Sequence, residues 1–178
     1  MRAGRRQFLG QAAAALTTLS PLGIACARVS SGQRAVSLVH AHTSEHLAIT
    51  YYRDGNYVRE ALTRIDYLLR DFRTGDVHPI DPALLDILHD LRVRTGQSAP
   101  FAVVSGYRCP STNAELRRHS RGVAEHSLHM QGRAIDIRLP GYATSALQQI
   151  ALDLRRGGVG YYPVSDFIHV DTGRIRAW

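Results

Sequence analysis

Apolar positions along the chain fall into two periods. Val36 to Ala41 and Leu47 to Tyr52 are β-prone runs flanking the polar stretch His42-Thr43-Ser44-Glu45, a pattern that predicts a β-hairpin. Asp54-Gly55-Asn56 supplies a second turn. The period then lengthens. Val58, Ala61, Leu62, Ile65, Leu68, Leu69 and Phe72 recur at helical spacing, with Gly75 as the stop. Asp81-Pro82 places an N-cap acid before a proline at the first helical position, Leu84, Leu85, Leu88 and Leu91 form a buried stripe, and Gly96 closes the helix.

The second half alternates short elements. Phe101 to Val104 reads as a buried strand entering Ser105-Gly106-Tyr107-Arg108. Ser111 or Thr112 is positioned to cap a helix carrying Ala114 and Leu116. Residues 119 to 132 are rich in His, Ser and Gly and predict an ordered loop. On Arg133 to Leu139, strand alternation sends Ala134, Asp136 and Arg138 to one face and Ile135 and Ile137 to the other. Thr144 is positioned to cap a helix with Leu147, Ile150, Ala151 and Leu154. Gly157 to Pro163 is a turn or short strand, and Phe167 to Asp171 is the last strand. Mixed helices and strands without repeats predict an α+β fold.

The first residues follow another logic. Met1-Arg2-Ala3-Gly4-Arg5-Arg6 is basic, an apolar run from Ala12 to Leu19 follows, and Ala25-Cys26-Ala27 offers small residues for cleavage. This is the layout of a secretory signal over residues 1–27, and Arg5-Arg6 before Phe8-Leu9 resembles a twin-arginine signal, with the twin-arginine export machinery as its partner. The run is shorter than the ~20 apolar residues a membrane span needs. A lipidated Cys26 is the alternative. Residues 28–35 then form a polar linker to a domain over residues 36–178, and the destination is the periplasm or cell envelope.

Composition narrows the chemistry. Hydrophobic residues make up 44% of the chain and charged residues 21%, so a packed core is expected rather than disorder. With only Cys26 and Cys109, neither a disulfide framework nor a cysteine-rich zinc site is available. The net charge is +7 and every basic residue is Arg. That charge is spread along the chain, three arginines lie in the leader, and an exported protein meets anionic wall polymer sooner than nucleic acid, which is not an expected partner.

Candidate chemistry concentrates between residues 105 and 171. Asp136 sits between two isoleucines on a core strand, where a carboxylate needs a positive partner. That partner is a metal ion or an arginine. His129 and His169 could complete a three-residue zinc set with one position open to water.

The pattern Ser127-x-His129-x-x-Gly132-x-Ala134-x-Asp136, with the distal His169-x-Asp171, resembles the M15 group of zinc D,D-peptidases. Ser105-Gly106-Tyr107-Arg108, Gly157 to Pro163, Asp171-Thr172-Gly173 and Trp178 carry the likeness further, to the DUF882 branch of MepK-type murein endopeptidases. The resemblance implies a small antiparallel sheet with flanking helices, shared with the Hedgehog signalling domain. It implies Zn²⁺ held by His129, Asp136 and His169, and peptidoglycan cross-link peptides as substrate, cut at a D-alanyl-diaminopimelate bond or a related cross-link. Arg108 becomes the candidate oxyanion stabiliser. Asp166, three residues before the last ligand, and Asp171, on the face of His169, share the candidacy for general base. A D,D-carboxypeptidase and a non-catalytic zinc-containing peptidoglycan-binding module are the alternatives.

Overall fold

A computed structural model describes residues 32–120 and 122–178. The leader over residues 1–27, with Cys26, lies outside the described residues. The last linker residues already belong to the first strand.

Strands β1 (Gln33–His40) and β2 (His46–Arg53) form the expected antiparallel hairpin, and β3 (Asn56–Tyr57) adds to its outer edge after the Asp54-Gly55 turn. Helix α1 (Arg59–Leu68) buries Ala61, Ile65 and Leu68. It stops a turn before its apolar pattern does. The Leu69 carbonyl accepts the N–H of Tyr107 at 2.8 Å, and Asp71 turns inward, so Phe72 packs edge-on against His40 instead of extending the helical stripe. Helix α2 (Pro82–Thr95) has the ends its sequence predicts: the Asp81 carboxylate accepts the N–H of Ala83 at 2.9 Å, and Gly96 closes it in the left-handed region.

Strand β4 (Phe101–Ser105) precedes α3 (Pro110–His119), which starts ahead of Ser111 because Pro110 takes the first helical position. The following loop ends in one tight 3₁₀ turn (Leu128–Gln131). Then come β5 (Ala134–Arg138), α4 (Thr144–Leu154), β6 (Gly158–Tyr162), β7 (Phe167–Asp171) and β8 (Arg176–Ala177).

Among the described residues these strands make one eight-stranded sheet in the order β3-β2-β1-β4-β5-β7-β6-β8, with four α-helices, a mixed α/β architecture. The sheet is larger than expected and not wholly antiparallel. β1 pairs parallel with β4 because the chain returns through α1 and α2, and β8 pairs parallel with β6 after doubling back from β7. None of the described helices is long and apolar enough to cross a membrane.

The core positions the chemistry. Leu84, Leu88 and Leu91 of α2 and Leu147 and Ala151 of α4 join Phe101, Val103, Ile135, Ile137, Ile168 and Val170 in one buried cluster. Alternation along β5 and β7 therefore turns Asp136, His169 and Asp171 to the opposite face. The antiparallel register makes Asp136 and His169 direct cross-strand neighbours. On the other flank of β5 the β4 pairing shifts between Val103 and Ser105, which sets Ser105 opposite Asp136. A bulge at this point re-aims the strand end as it leaves the sheet.

Candidate metal centre

His129, Asp136 and His169 converge from three parts of the chain. His129 rides on the 3₁₀ turn, whose start is held by the Ser127 hydroxyl accepting the His129 N–H at 3.3 Å. Gly132 ends that turn at φ +63°, and a Cβ there would lie 2.1 Å from the Pro79 carbonyl, so only glycine fits this place in the motif. All three residues are buried, with side-chain rings and carboxylate meeting at one point.

The ring orientations are fixed from outside the cluster. His129 Nδ1 lies 2.7 Å from the Gly106 carbonyl, which can only accept, so Nδ1 carries the proton and the lone pair of Nε2 points inward. His169 is held the other way round: Nε2 donates to Asp171 Oδ2 at 3.0 Å, leaving Nδ1 inward. The inward atoms are 3.2 Å apart between the two rings, 3.3 Å from His129 Nε2 to Asp136 Oδ1 and 2.9 Å from His169 Nδ1 to the same oxygen. Tetrahedral zinc with bonds near 2.0–2.1 Å separates its ligands by about 3.3 Å. The donor set and its spacing fit that ion.

Burial opposes charge on all three groups. For His129 burial prevails and its pKa is lowered, so the ring is neutral, as ligation requires. For Asp136 burial is outweighed by His129 and His169, and the carboxyl is held far below its usual range. For His169 burial is outweighed by hydrogen bonds to Asp136 and Asp171, and the pKa rises.

Arg108 is brought to the cluster, its Nη2 3.3 Å from Asp136 Oδ2. Asp171 is brought there too, but behind His169. Its oxygens are fully engaged: Oδ1 accepts from Gly158 N, Gly173 N and Arg176, and Oδ2 from His169 and Arg176. Burial raises the Asp171 pKa, yet these donors outweigh it and hold the carboxyl far below its usual range. Its hydrogen bond to His169 holds the orientation of that ring.

Asp166 is not brought to the cluster. It sits exposed in the turn between β6 and β7 at φ +52°, and its carboxylate accepts the Thr144 hydroxyl at the start of α4. The turn geometry is what separates it from His169, since the regular strand begins only at Phe167.

The cluster opens into a cleft of about 630 Å³. Trp178 forms one wall, its ring 5.2 Å from that of His169 and its Nε1 donating to Tyr162 at 2.9 Å. His42 and His126 also line the cleft, whereas Cys109 is a buried free thiol at the N-cap of α3. Asp71 was not expected to matter. It is buried beside the Arg108 segment and accepts the Cys109 N–H at 2.9 Å. The cluster of turn formers Thr74-Gly75-Asp76 just beyond it is the one sequence sign that the helix had already ended.

A family model described as "Peptidoglycan L,D-endopeptidase MepK" matches residues 28–178. The protein of that name from Escherichia coli (strain K12) is 39% identical over 177 residues, covering 99% of this chain and 97% of that protein. The "Probable peptidoglycan L,D-endopeptidase MepK" of Haemophilus influenzae is 42% identical over 146 residues, 82% of this chain and 78% of that protein. This chain belongs to the MepK family. The match covers the whole described domain, including the segments that carry the cluster, Arg108 and Trp178.

Proposed function

We propose that this chain is an exported zinc peptidase that hydrolyses an L,D peptide bond in peptidoglycan cross-links, in the periplasm or cell envelope. The observation that carries the reading is the convergence of His129 Nε2, His169 Nδ1 and Asp136 Oδ1 on one point at ligand spacing, with an arginine beside it. Zinc bound there would supply Lewis acidity and a water of lowered pKa. The remaining work falls to the chain. Gly106 and Asp171 hold the two rings in the tautomers that ligation needs. Arg108 presents a guanidinium fork to the oxyanion that forms as the scissile carbonyl is attacked. Trp178 and Tyr162 make one side of the cleft aromatic. Asp171 acts through His169, and the cleft wall retains His42 and His126 as its imidazoles outside the ligand set. The basic leader with Arg5-Arg6 supports export through the twin-arginine route.

The relatives' names favour an L,D bond over the D,D bond that the wider M15 resemblance implied. Purified cross-linked dimers of each stereochemistry separate the two. The L,D-linked dimer is expected to disappear at least about tenfold faster, the scale on which a site built for one geometry rejects another. Equal or faster loss of the D,D dimer overturns the stereochemical assignment, and loss of terminal D-Ala alone indicates a carboxypeptidase.

Asp171→Asn tests the orienting role. Zinc affinity is expected to fall about 10–100-fold, as for other partners of ligand histidines. Competition against a chromophoric chelator reads it directly, and an unchanged affinity removes Asp171 from the centre.

A further inference from the structure

The cleft holds more positive charge than hydrolysis uses. Arg73, Arg108 and Arg176 line it, and among the described residues on its wall Asp136 is the only acidic side chain. Arg108 is paired with Asp136 at 3.3 Å and Arg176 with Asp171 at 2.7 Å. Arg73 has no carboxylate partner among the described residues, although it is the most exposed part of this group.

Its position is nevertheless built. The guanidinium carbon lies 4.2 Å from the centre of the Phe72 ring, and His42 stacks on the same ring at 4.3 Å with planes 12° apart. A cation held over an aromatic face keeps its charge and its hydrogen-bonding edge. The backbone is fixed as well. Asp71 Oδ1 accepts the N–H of Arg73 at 3.0 Å while Oδ2 accepts that of Cys109, the residue after Arg108. One buried carboxylate thus sets the spacing between the segments that carry the two arginines. Gly106 lets those segments meet, since a Cβ there would lie 2.5 Å from the Leu69 carbonyl.

An unpaired guanidinium on the wall of the cleft that holds the metal cluster is suited to a carboxylate, which it can grip through two parallel bonds. Peptidoglycan stem peptides carry free carboxylates beside their cross-links. We propose that Arg73 is a specificity-determining residue that binds a free carboxylate of the stem peptide while the scissile carbonyl lies at Arg108 and the metal centre. This assignment rests on the peptidoglycan reading above. Phe72 and Asp71 are the residues that position it.

The test uses the full-length mature chain and two probes, a cross-linked dimer with its free diaminopimelate carboxylate and the same dimer carboxamidated there. Wild type is expected to favour the free acid by about tenfold in kcat/KM, carried by KM, the size of one charge-assisted contact at a partly exposed site. In Arg73→Gln that discrimination collapses to near unity, and Arg73→Lys restores part of it. Calorimetry on Arg108→Ala, which is expected to keep its zinc and turn over slowly, with and without Arg73→Gln, measures the same preference as binding. Should wild type cleave neither dimer, the functional reading fails, and the binding comparison still decides Arg73. A preference for the free acid that survives Arg73→Gln in either measurement overturns the proposal, as does equal affinity of the parent for both probes.

Discussion

His169→Ala is expected to release zinc and to reduce hydrolysis of cross-linked muropeptides to background. Neither charged neighbour is suited to replace it: Arg108 is a cation, and Asp171 lies behind His169 with both oxygens already engaged. A catalytic zinc keeps three protein ligands and one open position, so removing one leaves an incomplete site. The loss is also electrostatic. Asp136 is buried and relies on His129 and His169 to hold its charge, so deleting one ring leaves a partly unsatisfied carboxylate. Elemental analysis of the purified variant, with chromatography of digested dimers, reads both effects. A variant that retains full zinc and normal turnover sinks the centre. Because a buried substitution can also disturb folding, chelation of wild type provides a second route: turnover should vanish with the metal and return on adding zinc.

The M15-like pattern of residues, rather than spacing, singles out His129, Asp136 and His169 together, and strand alternation, a local rule, accounts only for how the two that lie on strands are placed. The sequence predicts Asp136 on the face opposite Ile135 and Ile137 but inside the sheet interior, whereas the core takes the isoleucine face and Asp136 and His169 lie on the other, buried at the cleft. The supports of these ligands were not legible. Which nitrogen His129 presents depends on a carbonyl at Gly106, 23 residues away, and the turn at Gly132 depends on Pro79. Both are tertiary contacts with no local signature. The helical period through Phe72 failed for a related reason: Leu69 and Asp71 are claimed by the Tyr107–Cys109 segment, and those bonds win over one more helical turn. Strand content and α/β mixing could be read, but the parallel pairings of β1 with β4 and β6 with β8 follow from crossovers that periodicity does not encode. Alternation bears on Asp166 only if it lies within the last strand, and the strand begins one residue later. Asp166 instead sits in a left-handed turn ahead of β7, bonded to Thr144.

Arg108→Ala is expected to lower kcat by about 10²–10³-fold, the cost of removing one donor from an oxyanion site, with KM changed far less. The residue is almost wholly buried, and burial lowers its pKa, yet a guanidinium stays charged at any working pH. Its only carboxylate contact among the described residues is Asp136 Oδ2, whereas both histidines face Oδ1. Removing the arginine therefore leaves the three inward atoms in place, and zinc occupancy should hold. That separates Arg108 from the ligands, whose loss removes metal and turnover together. Arg108→Lys keeps the charge but not the planar fork, and should recover only part of the rate. Steady-state kinetics with parallel metal analysis distinguishes the cases. If Arg108→Ala retains nearly wild-type kcat, the arginine is an ion-pair partner of Asp136 and nothing more. If it loses zinc along with activity, Arg108 maintains the Asp136 carboxylate as a ligand, and the oxyanion role falls.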